Sequence, residues 1–336
     1  PRGVWGLLLM LLLWGAAGYF VAEMLLRKKF WVFRGSWKGC VVLLCCLTAA
    51  MCLMEFDVTG FERRVPDPGR VVYLIINQEE IKMNRKERTE QKMQELFHSH
   101  AAGDEGTDGG FMQILQGYIF GDVCYTGSLD NRMRELVTVT VLTTLSTLPQ
   151  LKAHVQASLN AGCTPVEIRE AVYQCAPFIG FPRTLNAIGV MNEVFEGNGI
   201  QLPLPSQKTL TGESEDERYR KGLDIQNPLY GTEIADRYTW LPGDFAQAVP
   251  RFLTELCFGD FNTRSGLDGK TRELLTVVLL AALGGAEAQV KSHVEGALKA
   301  GDTREEVVCA LVHASGYMGI PRLFNALNVC RELLTD

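Results

Sequence analysis

The chain has 336 residues, 47% of them hydrophobic and 21% charged, with a formal net charge of −6. So apolar a composition excludes disorder as the dominant state, and an acidic balance without a basic block argues against nucleic acid as a partner. The averages conceal an asymmetry: residues 1–82 carry ten Lys+Arg against seven Asp+Glu, net +3, whereas residues 83–336 carry 23 against 32, net −9.

The leading part reads as membrane segments. Val4 to Ala22 contains no charge, and roughly 20 such residues at 1.5 Å each span a bilayer core. A second uncharged run, Gly39 to Met54, can span if Trp37 and Lys38 sit at the interface. Between them Arg27, Lys28, Lys29, Arg34 and Lys38 form a positive, aromatic-rich loop, which the positive-inside rule places on the cytoplasmic side. The alternative is a pair of buried core helices. Residues 55–69 resemble a loop of multi-span bacterial transporter permeases. The codons of Gln78-Glu79-Glu80 can spell a purine-rich ribosome-binding sequence ahead of Met83. Met83 is therefore expected as the true start, with residues 1–82 as upstream sequence joined in frame. On that expectation residues 83–336 are cytoplasmic, and membrane contact is confined to residues 1–54 if these are native.

Beyond Met83 the chain repeats itself. Gly121-Asp122 recurs as Gly259-Asp260, Leu129-Asp130 as Leu267-Asp268, and Arg134-Glu135-Leu136 as Arg272-Glu273-Leu274, all offset by 138. One inserted residue later, Lys152, His154 and Val155 match Lys291, His293 and Val294. Gly180, Pro182, Arg183, Asn186 and Ala187 likewise match Gly319, Pro321, Arg322, Asn325 and Ala326. A coincidence of this density at one offset implies duplication.

Each unit reads as helical. Helices are expected over Arg132–Leu148 and Thr271–Leu283, then over Leu151–Asn160 and Val290–Lys299, the latter two each closed by Ala-Gly. Thr164 with Glu167 and Thr303 with Glu306 are capping boxes. Pro182 and Pro321 open a final helix in each unit, with Asn186 and Asn325 read as caps near its start. No alternating strand pattern follows Met83, so the fold class is all-α. The expected organisation is a membrane segment at 1–82, a first unit at 83–196, a charged connector at 197–243 holding a loop and an amphipathic helix, and a second unit at 244–336.

Few residues can carry chemistry. Histidines occur only at 98, 100, 154, 293 and 313. His154 and His293 hold equivalent places, with Glu135 and Glu273 one helix earlier. A carboxylate that orients an imidazole makes a general acid/base. Arg134, Arg272, Arg183 and Arg322 are candidates for binding a carboxylate substrate or stabilising an enolate. The competing reading of all these groups is ordinary helix–helix contact. No His-x-x-x-His, Asp-rich or Cys/His cluster points to a metal, no cofactor loop is present, and none is expected. Six cysteines lie beyond Met83, at 124, 163, 175, 257, 309 and 330. They form no Cys-x-x-Cys pair and do not repeat between units, which fits reduced thiols better than a disulfide framework.

The runs Arg134-Glu135-Leu136-Val137-Thr138-Val139, Lys152-Ala153-His154, Gly162 to Ala171 and Pro182 to Ala187 resemble the carboxymuconolactone decarboxylase family, of the alkylhydroperoxidase D-like superfamily, in tandem form. The resemblance implies two alkylhydroperoxidase D-like helical units and two competing chemistries. In the hydroperoxidase branch a Glu precedes Cys-x-x-Cys, with the His four residues beyond. Glu135 and His154 match the flanks, but Thr147 and Gln150, and in the second unit Ala286 and Gln289, stand where the thiols belong. A peroxiredoxin-like activity is accordingly disfavoured. The decarboxylase branch resembles a cofactor-free lyase acting on a small carboxylated lactone, with His154 or His293, Glu135 or Glu273 and an arginine as its groups. A silent oligomeric binding protein is the third possibility. Since the family assembles single units into trimers or hexamers, the fused chain is expected to form a trimer resembling that hexamer.

Overall fold

The computed structural model describes residues 83–210 and 215–335. The expected membrane helices, the positive loop between them and the Met83 junction with its upstream sequence lie outside the described residues. Among the described helices none is long and apolar enough to cross a membrane.

Every regular element among the described residues is helical. In the first unit these are α1 (Arg85–Phe97), α2 (Gly109–Gln116), which runs on through a π-helical turn at Gly117–Asp122, α3 (Asn131–Leu145), α4 (Leu148–Asn160), α5 (Pro165–Tyr173), the short α6 (Ala176–Ile179) and α7 (Phe181–Gly197). The second unit repeats the order with α8 (Glu215–Tyr230), α9 (Phe245–Leu253) and its π-helical extension Thr254–Asn262, α10 (Gly269–Leu283), α11 (Glu287–Ala300), α12 (Arg304–Met318), α13 (Ile320–Val329) and the short α14 (Arg331–Leu334).

The starts of these helices are written locally. Asp130 and Asp268 accept from the backbone N–H of Met133 and Thr271, both at 2.8 Å, capping α3 and α10. Both expected capping boxes form: the Thr164 and Thr303 N–H groups donate to Glu167 and Glu306 at 2.8 and 2.7 Å, and the threonine hydroxyls accept in return. Two expectations shift. The long first helix stops at Leu145, because Ser146 turns left-handed at φ 56°, and α4 then begins at Leu148-Pro149. Asn186 and Asn325 lie inside α7 and α13, in the second turn. The cap positions belong to Gly180 and Gly319, whose φ values of 86° and 89° only glycine adopts without strain.

The centre of the molecule is α3 packed against α10, with α12 also laid on α3. Residues 134–144 of α3 and 272–282 of α10 are all buried, which accounts for apolar positions on more than one helical face. Threonines inside α3 are tolerated because their hydroxyls donate to carbonyls four residues back, Thr138 to Arg134 at 2.9 Å and Thr140 to Leu136 at 2.8 Å.

The connector does more than link. α8 packs on the π-helical segment 254–262 as α1 packs on 117–122, and its Arg218 grips Asp260 through Nε at 2.9 Å as Arg85 grips Asp122 at 2.8 Å. The second unit thus draws its first helix from residues placed in the connector by sequence.

One buried group works against the fold. Asp302 stands where the first unit has Cys163. It is 5% exposed, both carboxylate oxygens lack a partner, and burial pushes it up to about 7 against the pull of Lys270. Lys270 itself is spent on Glu306 at 2.8 Å. A carboxyl whose folded value is raised binds its proton more tightly in the folded state. Stability should therefore fall as pH rises from about 4 to about 7 and stay reduced above that. Asp302→Asn should raise Tm at pH 8 by roughly 5 °C or more, on a ceiling of about 4 kcal/mol, and the gain should vanish by pH 4. A gain that does not depend on pH would refute this origin.

Candidate active sites

The structure brings together the two histidine–glutamate pairs. Glu135 on α3 is 1% exposed, and His154 Nδ1 on α4 lies 2.8 Å from its Oε2. Glu273 on α10 is 2% exposed, and His293 Nδ1 on α11 lies 3.0 Å from its Oε2. A carboxylate only accepts, so in each pair Nδ1 carries the shared proton and Nε2 of the neutral ring keeps its lone pair. That is the tautomer a general base requires.

Aromatic walls surround each imidazole, and each site borrows one from the other unit. Around His154 stand Phe97 of α1 at 5.4 Å between ring centroids, Phe120 at 6.4 Å, and Tyr317 of α12 at 5.2 Å. Around His293 stand Tyr230 of α8 at 5.1 Å and Phe178 of α6 at 6.0 Å, with Phe258 behind Tyr230. Tyr317 belongs to the second unit and Phe178 to the first, so neither unit completes its site alone. Tyr317 also lies 5.8 Å from His313, whose Nε2 is 2.9 Å from the Thr138 hydroxyl. Full burial holds His313 well below the usual imidazole range, with the nearby Arg134 charge acting the same way.

The arginines fare differently. Arg134 is 2% exposed, and its guanidinium donates to the carbonyls of Leu129 (2.8 Å), Val123 (3.2 Å) and Thr126 (2.7 Å) and toward Cys309 Sγ. Arg272, equally buried, donates to Arg264 O at 2.9 Å and reaches Glu170 and Gln174 at 3.4 Å. These donors tie down the loops before α3 and α10, and only Arg272 Nε is left without a hydrogen-bond partner. Arg134 and Arg272 thus stand as buried anchors of these loops, at 2% exposure each. Arg183 and Arg322 line a cavity of about 400 Å³ with Thr144, Leu145, Ser146, Ala282 and Leu283, beside the C-termini of α3 and α10. Neither His154 nor His293 lines that cavity.

Four of the described cysteines are not poised for thiolate chemistry. Burial pushes Cys124, Cys163, Cys175 and Cys257 up to about 12, and Cys175 Sγ points at Ala171 O from a fully buried position. Among the described residues no group of His, Cys, Asp and Glu could hold a metal ion.

Reading the sequence did not find Tyr230, Tyr317, Phe178 or Glu170. The available signal was difference within the repeat: Tyr317 aligns with Phe178 and Cys309 with Glu170, at the offset of 139 that matches the histidines.

Two helical units in tandem, each with a buried Glu–His pair, define the class of protein. The carboxymuconolactone decarboxylase family model matches residues 109–193 and 247–332, and the chain belongs to that family. It is 28% identical over 123 residues to the 4-carboxymuconolactone decarboxylase of Acinetobacter baylyi, covering 37% of this chain and 91% of that protein. It is also 28% identical over 127 residues to the nitrosuccinic acid decarboxylase of Metarhizium robertsii, covering 37% of this chain and 88% of the relative. A solved chain described as a gamma-carboxymuconolactone decarboxylase subunit, from Burkholderia xenovorans, aligns with 18% identity and a TM-score of 0.43 over 73% of this chain and 96% of its own.

Proposed function

We propose that the protein is a cofactor-free decarboxylase of small carboxylated substrates, a lactone acid or a related acid. His154 and His293 act as general acid/base groups, and Glu135 and Glu273 orient them. The observation that carries this reading is the paired geometry itself: twice in one chain a buried carboxylate fixes the imidazole proton on Nδ1 and leaves Nε2 to exchange a proton. When a carboxylate leaves as carbon dioxide, the electron pair of the broken C–C bond stays on carbon until a proton arrives. A histidine that has taken up a proton at Nε2 can deliver it there, while the Glu stabilises the imidazolium that precedes delivery. The names of the two relatives support the reaction class, since both are decarboxylases. Peroxide chemistry through thiols finds no support in cysteines pushed up to about 12. The test is carbon dioxide release by the full chain from 4-carboxymuconolactone and from nitrosuccinic acid, with histidine variants as controls.

The same reading includes self-association. Each unit leaves apolar side chains exposed near the start of its last long helix, Phe181 and Leu185 in the first unit and Ile320 and Phe324 at equivalent places in the second. Phe111 and Ile114 of α2, and Phe252 of α9, are exposed as well. Apolar surface that recurs in both units suits contact with further copies of the chain. Sedimentation equilibrium should give about three times the 37.3 kDa chain mass; a strict monomer would refute the trimer.

A further inference from the structure

The two Glu–His sites differ in two wall hydroxyls, Tyr317 against Phe178 and Tyr230 against Phe97, and only that of Tyr230 hydrogen-bonds into its pair. Tyr230 ends α8 and takes the place that Phe97, at the end of α1, takes in the first unit: both rings stand against their unit's histidine and its π-segment phenylalanine. The tyrosine adds an oxygen, and that oxygen enters the pair. It donates to Glu273 Oε2 in a short hydrogen bond and lies 2.7 Å from His293 Nδ1. Glu135 accepts no such bond: Phe97 ends in a carbon, and the buried Tyr317 hydroxyl, though close enough to feel the Glu135 charge, has no hydrogen-bond partner.

The second unit has also made room for it. Gly296 on α11 aligns with Ala157 on α4. A Cβ on Gly296 would stand 2.5 Å from the Tyr230 hydroxyl oxygen, 2.9 Å from its ring carbon Cζ and 3.1 Å from Glu273 Oε2. Ala157, by contrast, is fully buried beside Phe120. Phenylalanine goes with alanine in one unit and tyrosine with glycine in the other. The space is kept at a cost, since glycine inside a helix is unfavourable by about 1 kcal/mol relative to alanine.

We propose that Tyr230 is a positioning residue of the second site, held by the space at Gly296, so that this site is a Tyr–Glu–His triad and the first site a Glu–His dyad. A carboxylate oxygen that answers two donors gives less to each. The hydroxyl therefore fixes the rotamer of Glu273 and moderates its hold on the His293 Nδ1 proton, while His154 has its carboxylate to itself. Burial and the Glu273 charge together keep the Tyr230 hydroxyl protonated beyond the ordinary phenol range, so it remains a donor. Two chemically different histidines in one chain suit two substrates, or two steps, better than a doubled single activity. The inference builds on the Glu–His pairs as the working groups, but its test needs no substrate.

Proton NMR of the ligand-free full chain reads the low-field protons of buried hydrogen bonds directly. Wild type should show three such resonances at these sites: the Nδ1 protons of His154 and His293 and the Tyr230 hydroxyl proton. Tyr230→Phe should delete the hydroxyl resonance, move the His293 Nδ1 proton further downfield and leave that of His154 in place. Gly296→Ala keeps the tyrosine but occupies its space, and should give the same two changes. The double variant Phe97→Tyr/Ala157→Gly should create a hydroxyl resonance in the first site and move the His154 proton upfield. An unmoved His293 resonance in both Tyr230→Phe and Gly296→Ala would overturn the proposal, whatever the decarboxylase assays show. Loss of activity toward both acids with these shifts present would instead strike at the proposed reaction and leave the triad standing.

Discussion

Glu170→Ala should destabilise the protein by about 3–5 kcal/mol, the range measured when one partner of a buried charge cluster is removed. Glu170 is fully buried on α5. Arg264 grips it with Nε and Nη2, each at 2.8 Å, while Arg169 and Arg272 approach to 3.3 and 3.4 Å. Two of these arginines come from the second unit, so the carboxylate joins the units as well as satisfying local charge. Without it, Arg272 at 2% exposure and the partly buried Arg264 lose their anion. Set against a typical total stability of about 5–15 kcal/mol, the loss should lower Tm by roughly 10 °C or more. Thermal denaturation checks this, with Cys309→Ala as the matched control. Cys309 holds the corresponding place in the second unit and makes only long sulfur contacts, 3.4 Å to Arg134 and 3.3 Å to Thr126 O, so its loss should be mild. Equal Tm values for the two variants would show that the cluster contributes nothing net.

The second large effect concerns turnover. His154→Ala/His293→Ala together should reduce kcat for decarboxylation by about 10²–10⁴, the usual contribution of a positioned acid/base group. The single variants carry more information. Each should retain the activity of the intact site, so if the sites are independent their residual kcat values should add up to that of wild type. Glu135→Gln should mimic His154→Ala in part, because an amide no longer stabilises the imidazolium and can turn its NH₂ toward Nδ1, reversing the tautomer. Full activity in the double variant would remove the histidines from the mechanism, even if decarboxylation itself is found.

The sequence made some of this legible and not the rest, for physical reasons. Helix starts at Thr164 and Thr303 are decided by contacts three residues long, so they could be read directly, whereas the equally local caps Asp130 and Asp268 start α3 and α10 one and two residues ahead of expectation. The Glu–His pairs were visible because duplication repeated them at one spacing. The adjacency that made Arg134 and Arg272 conspicuous does not aim them at the glutamate's partner. On an α-helix the next residue points about 100° away, so an arginine beside Glu135 or Glu273 faces a different neighbour, here the loop before α3 or α10. Tyr317, Phe178 and Glu170 act across the two units, over separations of 94 to 163 residues, where local pattern carries no information. Tyr230 escaped because the charged run ahead of it read as connector, whereas α8 is an integral part of the second unit.

The crossed walls carry an evolutionary consequence. If two separate copies of one sequence paired in this way, any residue reaching across would appear in both pockets at once, and so would any change to it. Joining the copies in one chain releases that constraint. Position 317 can hold tyrosine while position 178 holds phenylalanine, and position 309 can hold cysteine while position 170 holds glutamate. Each half can then reshape its neighbour's pocket without altering its own, so inheritance by fusion allows one polypeptide to acquire two different specificities.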